Sequence, residues 1–211
     1  MPGDNLTLFT NPNSRGQIAH WMMEEISVPY ETRWTQFGPD GHKSEKFLRI
    51  NPMGKLPALV HNNQIVTECP AICAYAAELD TSGKLKPTTE FLAPWYRWLF
   101  FAAGPLEHAI TNRALGFEVP ADKVGTVGYG SFDKTISTLE SYLKSHDFIC
   151  GTSFTAADVY VGSHVIWGMQ FEILPDLPSF ISYADRLKER DAYQRAKNIN
   201  NEKRNQNTAN S

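Results

Sequence analysis

Four short stretches hold the residues whose types and spacing could do chemistry. The first is the polar turn Thr10-Asn11-Pro12-Asn13-Ser14-Arg15, set between a β-prone run and a helical one. Three small polar side chains, Thr10, Asn11 and Ser14, stand where a helix start could hold an anion; a plain helix cap is the alternative. The second is "GKLPALV". A proline directly before a strand has no N–H to give to the ladder. A cis Leu56–Pro57 bond would turn the chain sharply and leave the Leu56 N–H and C=O for an extended, peptide-like ligand. A trans proline opening an edge strand is the other reading. The third is "TECPAICAYAAE", where Pro70 suits a first helical turn. The amides at this start could take a carboxylate, and Glu68 could accept from an ammonium group, so the pair suits an α-amino-acid head group. An acidic helix cap explains the same residues. The fourth is "GHKSEKF", whose His42 and Lys43 could hold a second carboxylate or simply face water.

The elements that must position these residues can be read from periodicity. Leu6–Thr10 reads as a short strand, Ser14–Ile26 as an amphipathic helix and Pro29–Phe37 as a second strand. His42–Ile50 reads as a helix stopped by Asn51-Pro52. Ala58–Val60 and Gln64–Val66 form a hairpin through Asn62-Asn63, and Cys69–Leu79 is a compact Ala-rich helix. The order is βαβ, α, ββα. The βαβ part requires parallel strands and a right-handed crossover, and the hairpin adds antiparallel ones, giving a mixed four-stranded sheet. The polar stretch from Asp80 to Glu90 reads as a linker. Only helical periods follow: Phe91–Arg113, Ala121–Ser145 with its first half weakened by glycines, the nearly all-apolar Thr155–Gln170, Pro178–Lys188 and Asp191–Asn198. The final "NNEKRNQNTANS" has the composition of a disordered tail.

Bulk properties narrow the class. The 211 residues suit one large or two small domains, and 42% apolar residues suffice for a core. A net charge of −3 without a basic run argues against nucleic acid. No segment approaches the roughly 18–20 apolar residues of a membrane span, and no secretory signal is visible. Cys69, Cys73 and Cys150 match neither zinc spacing nor a disulfide framework, so a reduced cytoplasmic protein without metal is expected.

Taken together, "NPNSRG" after the first strand, "GHKSEKFLRINPMGKLPALV" and "TECPAICAYAAE" resemble the cytosolic glutathione transferases, with bacterial-type and theta-, phi- and tau-like features. "FTAADVYVG" is similar to that family's capping box, in which Thr155 and Asp158 would cap reciprocally. The similarity covers nearly the whole chain. It implies a thioredoxin-like α/β domain of order βαβαββα over 1–80, a linker over 81–90, an all-helical domain over 91–200 and a disordered tail over 201–211. It also implies glutathione as co-substrate and a homodimer. Pro57 matches the family's cis-proline, which would let Leu56 pair its backbone with the cysteinyl part of glutathione. Glu68 matches the acidic residue beside the γ-glutamyl group. Cys69 stands where the family usually has Ser, so an N–H survives and a hydroxyl is lost, weakening one hydrogen bond of roughly 1 kcal/mol. His42 and Lys43 match residues that reach the glycyl carboxylate, and Lys55 sits where a further ligand to that end lies.

The resemblance gives the opening turn its task. The thiol of glutathione, with a reference pKa of about 8.5, must be held as a thiolate. Hydrogen-bond donors and a helix N-terminus suffice. Counting back from Arg15 as in theta- and tau-like classes reaches Asn11, while Ser14 offers the conventional hydroxyl and is preferred here; Thr10 is a third candidate. The absence of Tyr and Cys from this turn argues against the tyrosine- and cysteine-type classes. The helical domain would supply a pocket for a small hydrophobic electrophile, with Tyr96, Phe100, His108, Trp167 and Phe171 as lining candidates, whereas Trp95, Trp98 and Leu99 read chiefly as core. The expected activity is transfer of glutathione to that electrophile, with peroxide reduction conceivable. A non-catalytic binding or regulatory protein of the same fold is the alternative.

Overall fold

The computed structural model describes residues 5–209. Residues 1–4, where the expected first domain begins, and 210–211, the end of the expected tail, lie outside the described residues. The chain forms two compact units. One runs to Leu85 and takes in the chain again from Glu189; the other is Lys86–Lys188.

The first unit begins β1 (Leu6–Thr10), α1 (Gly16–Ile26), β2 (Glu31–Trp34), α2 (Glu45–Leu48), β3 (Ala58–His61), β4 (Gln64–Val66) and α3 (Cys69–Leu79), the thioredoxin-like order expected. The sheet order is β2-β1-β3-β4. β1 and β2 are parallel, with Thr10 beside Trp34; β3 runs antiparallel to β1, with Ala58 beside Phe9; β4 runs antiparallel to β3, with Val66 beside Leu59. Alternate β1 residues Leu6, Leu8 and Thr10 point into the core, as strand periodicity requires. The same core holds Ile18, Met22 and Met23 of α1 and Ile72 and Ala76 of α3, all fully buried. The pairing register has a consequence for chemistry. The chain leaves β1 after Thr10, leaves β2 after Trp34, enters β3 from Pro57 and leaves β4 after Val66, all at one end of the sheet.

The second unit is helical: α4 (Leu92–Phe101), α5 (Glu107–Leu115), α6 (Phe132–Leu143), α7 (Ala156–Gln170) and α8 (Pro178–Lys188). The expected Phe91–Arg113 helix is α4 and α5 joined by a π turn at Ala102–Leu106, because Pro105 has no N–H and widens the ladder. The expected Ala121–Ser145 helix shortens to α6 after a 3-10 turn at Ala121–Thr126, as its glycines foretold. α7 is buried on nearly every side. Its capping box is present, and Asp158 accepts from Ile149 N at 2.7 Å, Thr155 N at 2.8 Å and the Tyr183 hydroxyl at 2.9 Å. Complete burial pushes its carboxyl up to about 6 despite those donors.

Three expectations are corrected. The second strand is only Glu31–Trp34, and the Pro29–Phe37 run is otherwise irregular, because Pro29 cannot donate and Gly38, just beyond it, takes a positive φ of 111°. The His42–Ile50 helix shrinks to α2, capped by Ser44. The tail is not disordered over 201–209: Asp191–Ala209 is one helix, α9, packed on α1 within the first unit. It lacks an apolar stripe and docks through polar contacts instead. Arg190 makes a two-pronged ion pair with Glu25 at 2.7 and 2.8 Å, and Arg195 pairs with Glu24 at 2.9 Å. Ala192 and Ala196 let the two backbones approach.

Candidate functional site

The turn after β1 is a closed set of hydrogen bonds. Asn11 donates Nδ2 to Thr35 O at 2.9 Å, which ties the turn to the end of β2, and its Oδ1 accepts from Asn13 N at 2.9 Å. Ser14 donates its hydroxyl to Asn11 O at 2.8 Å and accepts from Gly16 N at 3.0 Å. The Ser14 hydrogen is therefore committed inside the turn. Nδ2 of Asn11 carries two hydrogens, and Thr35 takes one. Thr10 is fully buried, its Oγ1 pressed over Gly16, where an added Cβ would stand 2.0 Å away. Thr10 thus faces the core and not the sheet end. Gly16 is a residue that sequence reasoning missed: only a residue without Cβ lets α1 start so close to the last residue of β1.

The second wall is the loop into β3. The Leu56–Pro57 bond is cis and Pro57 is buried. Leu56 is half-buried and precedes the paired strand, and Lys55 is exposed. This loop is wrapped around Asn51, which is buried. Its Nδ2 donates to Lys55 O at 2.9 Å, its Oδ1 accepts from Met53 N at 3.1 Å, and its carbonyl accepts from Gly54 N at 2.8 Å. Asn51 was read only as a helix stop. It lies three residues past α2, and no signal along the chain marks it as the residue the loop wraps. Gly54 has φ 58° and lies against Lys43, a conformation that favours glycine.

Glu68 and Cys69 open α3. Glu68 is exposed, with a positive φ of 65°, an unusual backbone for a side-chain-bearing residue. Cys69 is buried and donates its thiol to Arg15 O at 3.6 Å, so the start of α3 touches the start of α1. The Cys73 thiol is pushed well above its ordinary value by its hydrogen bond with Cys69 and by burial, so it stays protonated. His42 accepts from Gly38 N at Nδ1 (3.0 Å), which leaves Nε2 as its outward nitrogen, with Phe37 edge-on to the ring. Lys43 donates to Met53 O at 3.3 Å, linking this loop to the one ending at Leu56.

These residues of the first unit gather at one end of the sheet: a turn with amide donors, a non-ladder backbone edge, a helix start beside a carboxylate, and a His–Lys pair. The residues predicted to line an electrophile pocket lie in the second unit. Tyr96 and Phe100 are exposed one turn apart on α4, His108 is exposed on α5, and half-buried Trp167 precedes exposed Phe171 by one turn at the end of α7. Trp95, Trp98 and Leu99 are core. A surface cavity of about 520 Å³ near Lys144, His146, Ser182 and Arg186 involves none of them. Among the described residues, no helix is long and apolar enough to cross a membrane.

Comparison with known proteins agrees with this fold. A family model for the N-terminal domain of glutathione S-transferases matches residues 4–78. Glutathione S-transferase 1 of Schizosaccharomyces pombe is 30% identical over 164 residues, covering 72% of this chain and 69% of that protein. Glutathione S-transferase theta-2 of Homo sapiens is 25% identical over 199 residues, covering 87% and 80%. Among solved structures, a glutathione transferase from Phanerochaete chrysosporium in complex with oxidized glutathione superposes with a TM-score of 0.76 at 23% identity, covering 95% of this chain and 98% of that one.

Proposed function

Because the chain belongs to the glutathione S-transferase family, we propose that it transfers glutathione to a small hydrophobic electrophile. The observation that carries this reading is the convergence of four segments with suitable donors and acceptors at one end of the sheet. In it, Glu68 takes the γ-glutamyl ammonium and the Cys69 amide, at the head of α3, takes the adjoining carboxylate. Leu56 pairs its backbone with the cysteinyl part, held in place by Pro57 and Asn51. His42, Lys43 and Lys55 face the glycyl carboxylate. The thiol then falls to the Asn11–Ser14 turn.

Asn11 is the better donor of the two, a change from the preference given to Ser14 on hydroxyl chemistry alone. The Ser14 hydrogen would have to leave Asn11 O before it could serve a sulfur, whereas Asn11 has a second amide hydrogen to give. Ser14 then acts by shaping the turn, and enclosed Thr10 by supporting it. Stabilising the thiolate by ~2 pKa units needs about 2.7 kcal/mol. One amide donor together with the α1 N-terminus can supply that. The thiolate attacks an electrophilic carbon, forming a C–S bond as the leaving group departs, or reduces a peroxide. The aromatic residues of the second unit, Tyr96, Phe100, His108, Trp167 and Phe171, would receive the electrophile. The protein would work in the cytoplasm as a homodimer.

The second reading, a non-catalytic glutathione-binding or regulatory protein, is favoured by two observations: Cys69 replaces a hydroxyl, and the Ser14 hydroxyl is engaged. One pair of assays separates the readings. Retention on glutathione-agarose with a thermal shift in millimolar glutathione, plus conjugation of an activated aryl halide, supports the enzyme. Binding without conjugation or peroxide reduction supports the regulatory protein. Neither binding nor shift removes both.

A further inference from the structure

The C-terminal helix α9 descends antiparallel along α1 and ends at the active turn. Its contacts step down α1 in order: Arg190 to Glu25, the Tyr193 ring edge-on to Trp21 at 5.0 Å, and buried Asn200 to His20 Nδ1 at 3.1 Å. Ala192, Ala196, Asn200 and Arg204 recur every fourth residue, so they share one face of the helix. The last of them reaches past the start of α1. Arg204 donates Nη2 to Pro12 O at 2.8 Å, Nε to Asn13 Oδ1 at 3.0 Å and Nη1 to Asn201 Oδ1 at 2.6 Å. The planar fork of a guanidinium can make two such bonds to one turn; an ammonium cannot match them. All three acceptors are neutral, so Arg204 brings a positive charge to the turn that these partners do not cancel. The residues it grips lie between Asn11 and Ser14, and Asn13, whose side-chain Oδ1 it holds, donates its backbone N–H to Asn11 Oδ1 at 2.9 Å.

We propose that Arg204 is a positioning residue for the thiolate site. It clamps Pro12 and Asn13 so that Asn11 keeps its amide aimed at the sulfur, and its charge favours the thiolate through space. The inference rests on the glutathione reading above, yet its first half concerns the ligand-free turn and can be tested there. Arg190 and Arg195 dock α9 without touching the turn, so they separate docking from positioning.

The test compares Arg204→Gln, Arg204→Lys and Arg195→Gln with the parent chain. In ligand-free protein, Arg204→Gln should speed amide exchange at Asn13, Ser14 and Gly16 about tenfold, and Arg195→Gln should not. In the glutathione complex, Arg204→Gln should raise the thiol pKa by about 0.5–1 unit. It should lower kcat several-fold while KM for glutathione stays within about twofold, the mark of an effect on ionisation and not on binding. Arg204→Lys should recover most of the pKa shift but not the exchange protection. Unchanged exchange in Arg204→Gln, or an equal change in Arg195→Gln, overturns the clamp. An unchanged thiol pKa overturns the electrostatic half. If the parent chain binds no glutathione, the exchange result still decides the clamp, and only the functional reading falls.

Discussion

Replacing Gly16 with alanine should damage stability and thiol activation together. A Cβ at Gly16 would lie 2.0 Å from Thr10 Oγ1, 2.9 Å from Ser14 Oγ and 3.0 Å from Thr10 Cβ. Ordinary contact begins near about 3.5 Å, so the start of α1 must move off β1 by more than roughly 1 Å. Thr10 is fully buried and cannot swing away. Overpacking of this kind costs about 1–3 kcal/mol, and alanine's better helix propensity returns at most about 1 kcal/mol. Because Gly16 is the first helical residue, that return is small, and a net loss of up to about 3 kcal/mol should lower Tm by up to roughly 12 °C for a chain of this size. The same displacement breaks the Gly16 N to Ser14 Oγ bond and shifts the turn relative to bound glutathione. A misplacement near 1 Å can cost up to about 10²-fold in rate. The assay is kcat/KM for an aryl halide at saturating glutathione, alongside calorimetric Tm. Adding Thr10→Ala removes the closest atom and should restore part of both losses, a coupling that two independent defects would not show. A Gly16→Ala chain with parental Tm and kcat/KM would refute the close-approach reasoning.

Three further outcomes are expected. Asn51→Ala leaves Met53 N–H and Lys55 O without their partner and should weaken glutathione binding by about 1–3 kcal/mol; calorimetric titration showing parental affinity would remove Asn51 from the site. Cys69→Ser restores the hydroxyl that the family resemblance calls for and should tighten glutathione by about 1 kcal/mol, roughly fivefold; weaker binding by the same titration contradicts the role given to this position. Burial holds the His20 imidazole below its ordinary value, against the Asn200 hydrogen bond and the Glu24 charge. As pH falls through about 6.5 the unfolded chain therefore takes the proton first, so stability present at neutral pH is lost on acidification. The urea midpoint should fall between pH 7 and 5, and His20→Gln should flatten that fall; an equal fall in the variant assigns the acid sensitivity elsewhere.

What the sequence disclosed and what it hid divide on physical lines. The strands and α1 were legible because their apolar residues recur at one period, and α3 and α7 because an Ala-rich run and a nearly all-apolar run are bounded by turn residues. The four segments that gather at one end of the sheet stood out because proline, charge and helix-start chemistry are local signals. The continuation of the C-terminal helix beyond Asn198 was hidden because it is held by Asn200 and Arg204, not by an apolar stripe. A polar helix docked by ion pairs has the same composition as a disordered tail. The choice between Asn11 and Ser14 was hidden for a different reason. Both have donors, and only the bond from Ser14 Oγ to Asn11 O shows whose hydrogen is already in use. Gly16 and Asn51 act by what they touch, Thr10 Oγ1 in one case and two loop amides in the other, and no pattern along the chain carries that.

The central claim, that this sheet end binds glutathione and ionises its thiol, meets its most direct test in one titration. The ultraviolet absorbance of the thiolate is followed against pH in the saturated complex. Half-ionisation is expected about 2 units below the free thiol's reference pKa of about 8.5, with the gain reduced in Asn11→Ala and largely kept in Ser14→Ala. A bound thiol that ionises at the free value, or a chain that saturates with no absorbance change, would contradict it.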